Sequence, residues 1–180
     1  MKYFKKIIGE RIYLSPINMD DAELYTKWLN DIEVSESLGI YSRTVSLGAQ
    51  KKYMENSAGK GHEFAIVALD GDGLLGNVSL GDIESINRTA KIGIFIGEAE
   101  MRGKGYGTEA IRLILDYGFK TLNLHNVKLE VFADNARAIA CYKKVGFREI
   151  GRRREAKYKN GRYVDEVYMD ILDSDFGSEK

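Results

Sequence analysis

The stretch Arg102-Gly103-Lys104-Gly105-Tyr106-Gly107-Thr108 decides how this chain is read. It follows an apolar run, Ala90 to Gly97 (AKIGIFIG), that reads as a strand. It precedes a segment in which Ala110, Ile111, Ile114, Leu115 and Phe119 recur at helical spacing. Three alternating glycines let successive backbone N–H groups turn inward, and the start of the helix adds the positive end of its dipole. Such a loop suits a pyrophosphate, and Arg102 and Lys104 bring charge for the same anion. Two familiar phosphate cradles do not fit. A Walker loop needs Ser or Thr after GxxxxGK, whereas Gly105 follows Lys104. A dinucleotide fingerprint needs a third glycine where Thr108 stands and an acid about 20 residues further on, and Asn123 to Asn126 offers none. A glycine-rich turn without a ligand stays open beside the cradle reading.

Downstream, Val127 to Ala133 reads as a strand, and Asp134 as the N-cap of a helix ending near Val145-Gly146. Strand resumes at Phe147, and Asn160-Gly161 signals a type I′ hairpin between Glu155–Lys159 and Arg162–Ile171. Upstream, Arg11 to Ser15 is a strand stopped by Pro16. Asn18 opens a helix carrying Ala22, Tyr25, Trp28 and Leu29 at helical spacing. A second helix from Ser46 to Asn56 is bracketed by Gly39, Gly48 and Gly59. His62 to Leu69 and Leu74 to Glu84 form strands around the Asp70-Gly-Asp-Gly turn, and Ser85 to Arg88 is a further turn. The order βααβββαβαββ, antiparallel strands first and a βαβ crossover in the middle, predicts an α+β fold with a mixed sheet. One domain over 1–180, with its core at about 10–172, accounts for the whole pattern.

A second motif joins the glycine loop. Asn135, Ala138, Tyr142 and Gly146-Phe147 spell N-x-x-A-x-x-x-Y-x-x-x-G-F, and Arg102, Gly105 and Gly107 spell R-x-x-G-x-G. The sequence thereby resembles the GCN5-related N-acetyltransferase (GNAT) superfamily, in which the first motif opens the helix that binds coenzyme A pyrophosphate. Trp28-Leu-Asn-Asp-x-Glu-Val34, Leu75-Gly-Asn-Val, Asp116-Tyr-Gly-Phe119 and Tyr158-Lys-Asn-Gly-Arg-Tyr163 look like one subgroup of it. That subgroup holds ribosomal-protein N-terminal, spermidine and amino-sugar acetyltransferases. The resemblance implies a mostly antiparallel twisted sheet flanked by helices, with acetyl-CoA as co-substrate.

It also implies site residues. Ile94, Phe95 and Ile96 offer backbone groups to the pantetheine arm, Arg102, Gly103, Lys104, Gly105, Tyr106, Gly107 and Thr108 hold the pyrophosphate, and Asn135 and Ala138 adjoin the arm. Asn135 is equally well read as a helix cap. Tyr142 stands at the general-acid position, and an ordinary tyrosine pKa near 10 makes proton transfer to a leaving thiolate nearly isoenergetic. A core tyrosine is the plainer alternative. Asp82 and Glu84, two apart on one strand face, are candidates for the base, and both read equally as solvated charges. Many relatives carry glutamate where Lys91 stands, which removes one familiar base. Cys141 reads as a small helical hydrophobe rather than a nucleophile, so the expected reaction is direct transfer in a ternary complex.

Composition narrows the partners. The chain of 180 residues balances 27 basic against 27 acidic side chains, which argues against a general nucleic-acid binder. Arg152 to Lys159 with Tyr158 and Tyr163 reads as a solvated hairpin face before it reads as an RNA contact. One cysteine and two distant histidines point away from disulfide scaffolds and metal sites and toward a cytoplasmic protein. No apolar run is long enough for a membrane helix. The expected acceptor is a small-molecule amine or a protein N-terminus: a ribosomal-protein N-terminus, a polyamine and an amino sugar all stay open. A homodimer or higher homo-oligomer is compatible with this reading. A non-catalytic acyl-CoA-binding or sensing module is the alternative function.

Overall fold

Glycine lets the backbone turn between two strands at Gly71 and again at Asn160-Gly161, while the turn from Glu84 to Thr89 uses Arg88 at a positive φ of 55°. In the computed structural model, which describes residues 2–58 and 61–177, the strands are β1 (Ile7–Ile8), β2 (Ile12–Pro16), β3 (Glu63–Ala68), β4 (Leu74–Glu84), β5 (Thr89–Ile96), β6 (Asn126–Phe132), β7 (Arg148–Lys159) and β8 (Arg162–Leu172). The helices are α1 (Ala22–Asn30), α2 (Ile32–Ser37), α3 (Leu47–Ala58), α4 (Tyr106–Lys120) and α5 (Ala136–Val145). The strands hydrogen-bond in the order β1-β2-β3-β4-β5-β6-β8-β7. Pairing is antiparallel for β1–β2, β2–β3, β3–β4, β6–β8 and β7–β8, while β5 and β6, joined through α4, pair in parallel from Thr89–Asn126 to Lys91–Lys128. This is the expected α+β fold with a mixed, mostly antiparallel sheet. Gly59, expected to bracket the second helix, lies outside the described residues.

The chain divides into two compact units, Met1–Ser79 with Ile94–Leu113, and Leu80–Gly93 with Ile114–Lys180. In the first, β2 is buried on both faces, with Ile12, Tyr13, Leu14 and Ser15 at no more than 1% exposure. Tyr25 and Trp28 of α1 meet each other edge to face at 5.7 Å between ring centroids, and each meets Phe95 in the same way at 6.2 Å. This cluster explains two glycines: a Cβ at Gly97 would fall 2.1 Å from the Trp28 ring, and one at Gly76 would fall 2.1 Å from the Phe95 carbonyl oxygen. Two elements were not expected from the sequence. β1 is only two residues long, and α2 is a six-residue helix whose Asp31 side chain caps the amides of Glu33 and Val34.

In the second unit, β6 alternates buried Val127, Leu129 and Val131 with exposed Lys128 and Glu130, and β8 buries Val167, Met169 and Ile171. Asn160 (φ 50°) and Gly161 (φ 79°) form the expected hairpin turn. β7 is the outer strand, exposed along most of its length, and register shifts at Glu149/Gly151 and Arg153/Lys157 break its edge. The N-cap of α5 is Asn135, not Asp134: the Asn135 side chain reaches the Ala138 amide, while Asp134 pairs with Lys159 and Arg162.

Candidate active site

The first unit carries the glycine loop. At the end of β5, Phe95 joins the Tyr25–Trp28 ring cluster, while Ile94 and Ile96 point to the opposite face: a Cβ at Gly107 would lie 4.0 Å from Ile94 Cδ1 and 3.9 Å from Ile96 Cγ1. A single 3-10 turn, Ala99–Met101, leads into the loop. Gly103 (φ 73°) and Gly105 (φ 90°) are left-handed, and Lys104 between them is not. That alternation is the geometry of an anion-binding nest of backbone amides. α4 starts directly after it, and the amide of Glu109 donates to the Gly105 carbonyl at 3.0 Å. The amides of Tyr106, Gly107 and Thr108 precede that first helical bond and stand in the terminal turn, where the dipole is positive. Open space lies where a Gly103 Cβ would stand, and Lys104 is exposed beside it. These residues fit a pyrophosphate.

Arg102 behaves differently from the expectation that it adds charge for the anion. Its guanidinium donates to the carbonyls of Ile96 (3.1 Å) and Gly97 (2.5 Å) and to Glu33 of α2 (2.5 Å), and its side chain is 9% exposed. It ties the loop back to the end of β5. Glu98, which the sequence does not single out, ties the loop's entry to α1 instead, accepting from Lys27 and from Trp28 Nε1, both at 2.8 Å. Lys27 first, then Trp28, hold the Glu98 carboxyl below its usual range. Neither contact leaves a local signal in the sequence, because the partners lie about 70 positions away.

The second unit carries the other predicted residues. Asn135 Oδ1 accepts the Ala138 amide at 3.1 Å, so its cap role is realised and its Nδ2 end is the donor left for another partner. Ala138 and Tyr142 are four apart and share a helix face. Gly146 ends α5 at φ 117°, where a side chain would be strained, and the chain folds back so that Phe147 meets Tyr142 at 5.7 Å. Burial, with a smaller contribution from Cys141, pushes the Tyr142 hydroxyl up to about 12. The isoenergetic transfer expected from an ordinary tyrosine therefore needs correcting: a rise of that size costs full proton transfer about 3 kcal/mol. In exchange, Tyr142 stays protonated across the working pH range.

Asp82 and Glu84 are both exposed. The positive φ of Asp82, 48°, interrupts the alternation that would set the two on one strand face, and Glu84 accepts from Asn87 at 2.8 Å. Lys91, in the place of a familiar glutamate, pairs with Glu130 at 2.8 Å. Among the described residues, no group of three or more His, Cys, Asp or Glu side chains is arranged to hold a metal ion.

A backbone nest at a helix start, reached from a strand that pairs in parallel after the crossover, and a tyrosine helix entered through a capping asparagine define an acyltransferase of the GNAT fold. The sequence matches the family described as an acetyltransferase (GNAT) domain over residues 11–148, and the chain belongs to that family, whose members are N-acetyltransferases that use acetyl-CoA. It is 30% identical over 167 residues to the putative ribosomal N-acetyltransferase YdaF of Bacillus subtilis, covering 93% of this chain and 88% of that one. It is 34% identical over 137 residues to the spermidine N(1)-acetyltransferase of Vibrio cholerae, covering 76% and 72%. A crystal structure of the spermidine N-acetyltransferase from Vibrio cholerae, in complex with CoA and spermine, superposes with a TM-score of 0.82 at 29% identity over 93% of this chain and 98% of that one. Among the described residues, no helix is long and apolar enough to cross a membrane.

Proposed function

We propose that this chain moves the acetyl group of acetyl-CoA directly to the primary amine of a polypeptide N-terminus. The observation that carries the donor half is the left-handed pair Gly103 and Gly105 at the start of α4. The amides of Gly103 to Thr108, with Lys104, hold the pyrophosphate. Backbone groups of Ile94 to Ile96 pair with the pantetheine arm, which Asn135 Nδ2 and Ala138 adjoin. Arg102 acts on the loop's shape rather than on the anion. The amine nitrogen attacks the acetyl carbonyl carbon, and an amide N–H near the end of β5 donates to the carbonyl oxygen as charge develops there. As the C–S bond breaks, Tyr142 gives its proton to the leaving sulfur, and the amine loses one to Asp82 or Glu84 through water. Transfer leaves free CoA and an amide, with no acetyl group on the protein. A lone thiol without a disulfide suits a cytoplasmic enzyme.

The choice of acceptor rests on charge. Asp31 and Glu33 would draw a polyamine, yet Arg102 lies against both, at 3.9 and 2.5 Å. β7 carries exposed Arg153, Arg154 and Lys157, besides Arg152, which pairs with Glu149 and Asp165, and this excess of basic side chains repels a polycation. The ring pair Tyr158–Tyr163, 5.1 Å apart and exposed, suits a peptide chain. Thiol release from acetyl-CoA, followed with N-terminal peptides, spermidine and amino sugars, tests this. Peptides are expected to give kcat/KM at least about tenfold above the others, a difference of about 1.4 kcal/mol. Spermidine as the best acceptor contradicts the choice, and CoA binding without release for any amine favours a sensing module.

A further inference from the structure

The turn between β1 and β2 is built around a side chain from α4. Three successive amides, those of Glu10, Arg11 and Ile12, donate to one oxygen of Glu109, at 2.8, 2.9 and 3.3 Å. Gly9 makes room for that oxygen, since a Cβ there would lie 2.4 Å from it. The other carboxylate oxygen takes Arg11 Nε at 3.4 Å. Arg11 then reaches past Glu109 to the glycine loop: Nη1 donates to the Lys104 carbonyl at 3.0 Å, and the guanidinium lies 4.8 Å from the centre of the Tyr106 ring. A Cβ at Gly105 would stand 2.9 Å from Arg11 Nη2, so only glycine lets the arginine lie this close.

We infer that Arg11, locked by Glu109, is a positioning residue that aims the Gly105 amide into the pyrophosphate nest. The peptide joining Lys104 to Gly105 is planar and trans, so its C=O and N–H point in opposite directions. Holding the Lys104 carbonyl on Arg11 therefore turns the Gly105 N–H away from Arg11. Glycine on both sides of Lys104 gives this peptide unusual freedom, and without an external anchor the unliganded loop samples other orientations. Binding would then have to select the competent fraction, which lowers apparent affinity by that fraction. The anchor comes from a turn 93 residues earlier in the chain. It holds three consecutive backbone amides as well as a side chain, and is stiff for that reason.

This inference rests on the reading of the loop as a CoA site, and the test separates the two. Wild type, Arg11→Ala, Arg11→Lys and Glu109→Gln are titrated with CoA by calorimetry. Their kcat/KM is measured with acetyl-CoA and with S-acetyl-pantetheine, which lacks the pyrophosphate. Arg11→Ala is expected to weaken CoA binding about tenfold. Its kcat/KM should fall by a similar factor with acetyl-CoA and by less than about twofold with S-acetyl-pantetheine. Arg11→Lys restores one donor but not the planar fork, and is expected to recover only part of the loss. Glu109→Gln keeps an acceptor for the three amides but loses the charge facing Arg11, and should shift CoA affinity in the same direction by less. If Arg11→Ala does not fold, the Lys and Gln variants carry the same comparison. CoA affinity unchanged within about twofold in the folded variants overturns the positioning role. An equal loss with both thioesters, together with a lowered Tm, overturns it too, since that marks a general structural part. A wild-type chain that binds no CoA overturns the reading of the loop, and the inference with it.

Discussion

Replacing Tyr142 with Phe is expected to lower kcat about 100-fold while leaving CoA affinity within about twofold of wild type. General acid catalysis contributes on the order of 10²- to 10⁴-fold, and the lower end applies here because Tyr142 is a weaker acid than an ordinary tyrosine. The ring itself is kept by phenylalanine, so its edge-to-face contact with Phe147 survives and the fold should not change. CoA affinity is spared because the proposed pyrophosphate contacts are made by the Gly103–Thr108 loop and none of them by the Tyr142 hydroxyl. The pH profile supplies a second readout. Only the protonated hydroxyl can donate, and it is lost as pH rises through about 12. Tyr142 therefore produces no fall in kcat between pH 7 and about 10, whereas an unshifted tyrosine would halve the rate near pH 10. A wild-type profile that falls by half near 10 and flattens in the Phe variant contradicts the buried hydroxyl. Unchanged kcat removes Tyr142 as the acid.

Gly105→Val is expected to weaken CoA binding about 50-fold while kcat at saturating acetyl-CoA stays within about threefold. Gly105 has φ 90°, and a β-branched residue there is a marked outlier that costs at least about 1–2 kcal/mol. The new Cβ would also stand 2.9 Å from Arg11 Nη2, displacing the arginine or being displaced by it. The loop relieves the strain by leaving the nest conformation, and restoring that conformation draws on binding free energy. Gly103→Ala is the informative control. It shares the left-handed φ, at 73°, but meets nothing within 4 Å, so strain acts there without collision and the expected loss is only about fivefold. Calorimetric titration with CoA reads both values. Equal, small losses at the two glycines mean that the loop holds no anion.

These two variants touch the parts of the molecule that the sequence states most openly. Gly103, Gly105, Gly146 and Gly161 all take positive φ, a backbone requirement that glycine declares in its own residue type. The Asp70–Gly73 and Asn160-Gly161 turns, and with the first of them the start of β4 at Leu74, are visible for the same reason, since turn chemistry is local. What stayed hidden is held by partners far along the chain. β1 is two residues pinned by pairing with β2, with too little length for any period to show. α2 has six residues, and its Asp31 cap could as well have been a turn. Arg102 reads as an anion ligand because its charge is written in its residue type, whereas the Glu33 carboxylate that absorbs it lies 69 positions away, and the nearby Ile96 and Gly97 carbonyls it holds are backbone groups that no residue type marks. Glu109 and Arg11 lie 98 residues apart, and nothing at either position announces the other. The raised pKa of Tyr142 belongs to the same class, because burial is a property of the packed chain and not of the helix that carries the residue.

Direct transfer is the claim on which these expectations meet, and one measurement bears on it most closely. Wild-type protein is mixed with acetyl-CoA alone and then with acetyl-CoA plus an N-terminal peptide, and intact-mass spectrometry follows protein, peptide and free CoA together. The expected result is an unmodified protein in both samples, with acetyl-peptide and CoA appearing one for one only when the peptide is present. An acetyl group retained on the protein without peptide, on Cys141 above all, and passed on when peptide is added would contradict direct transfer.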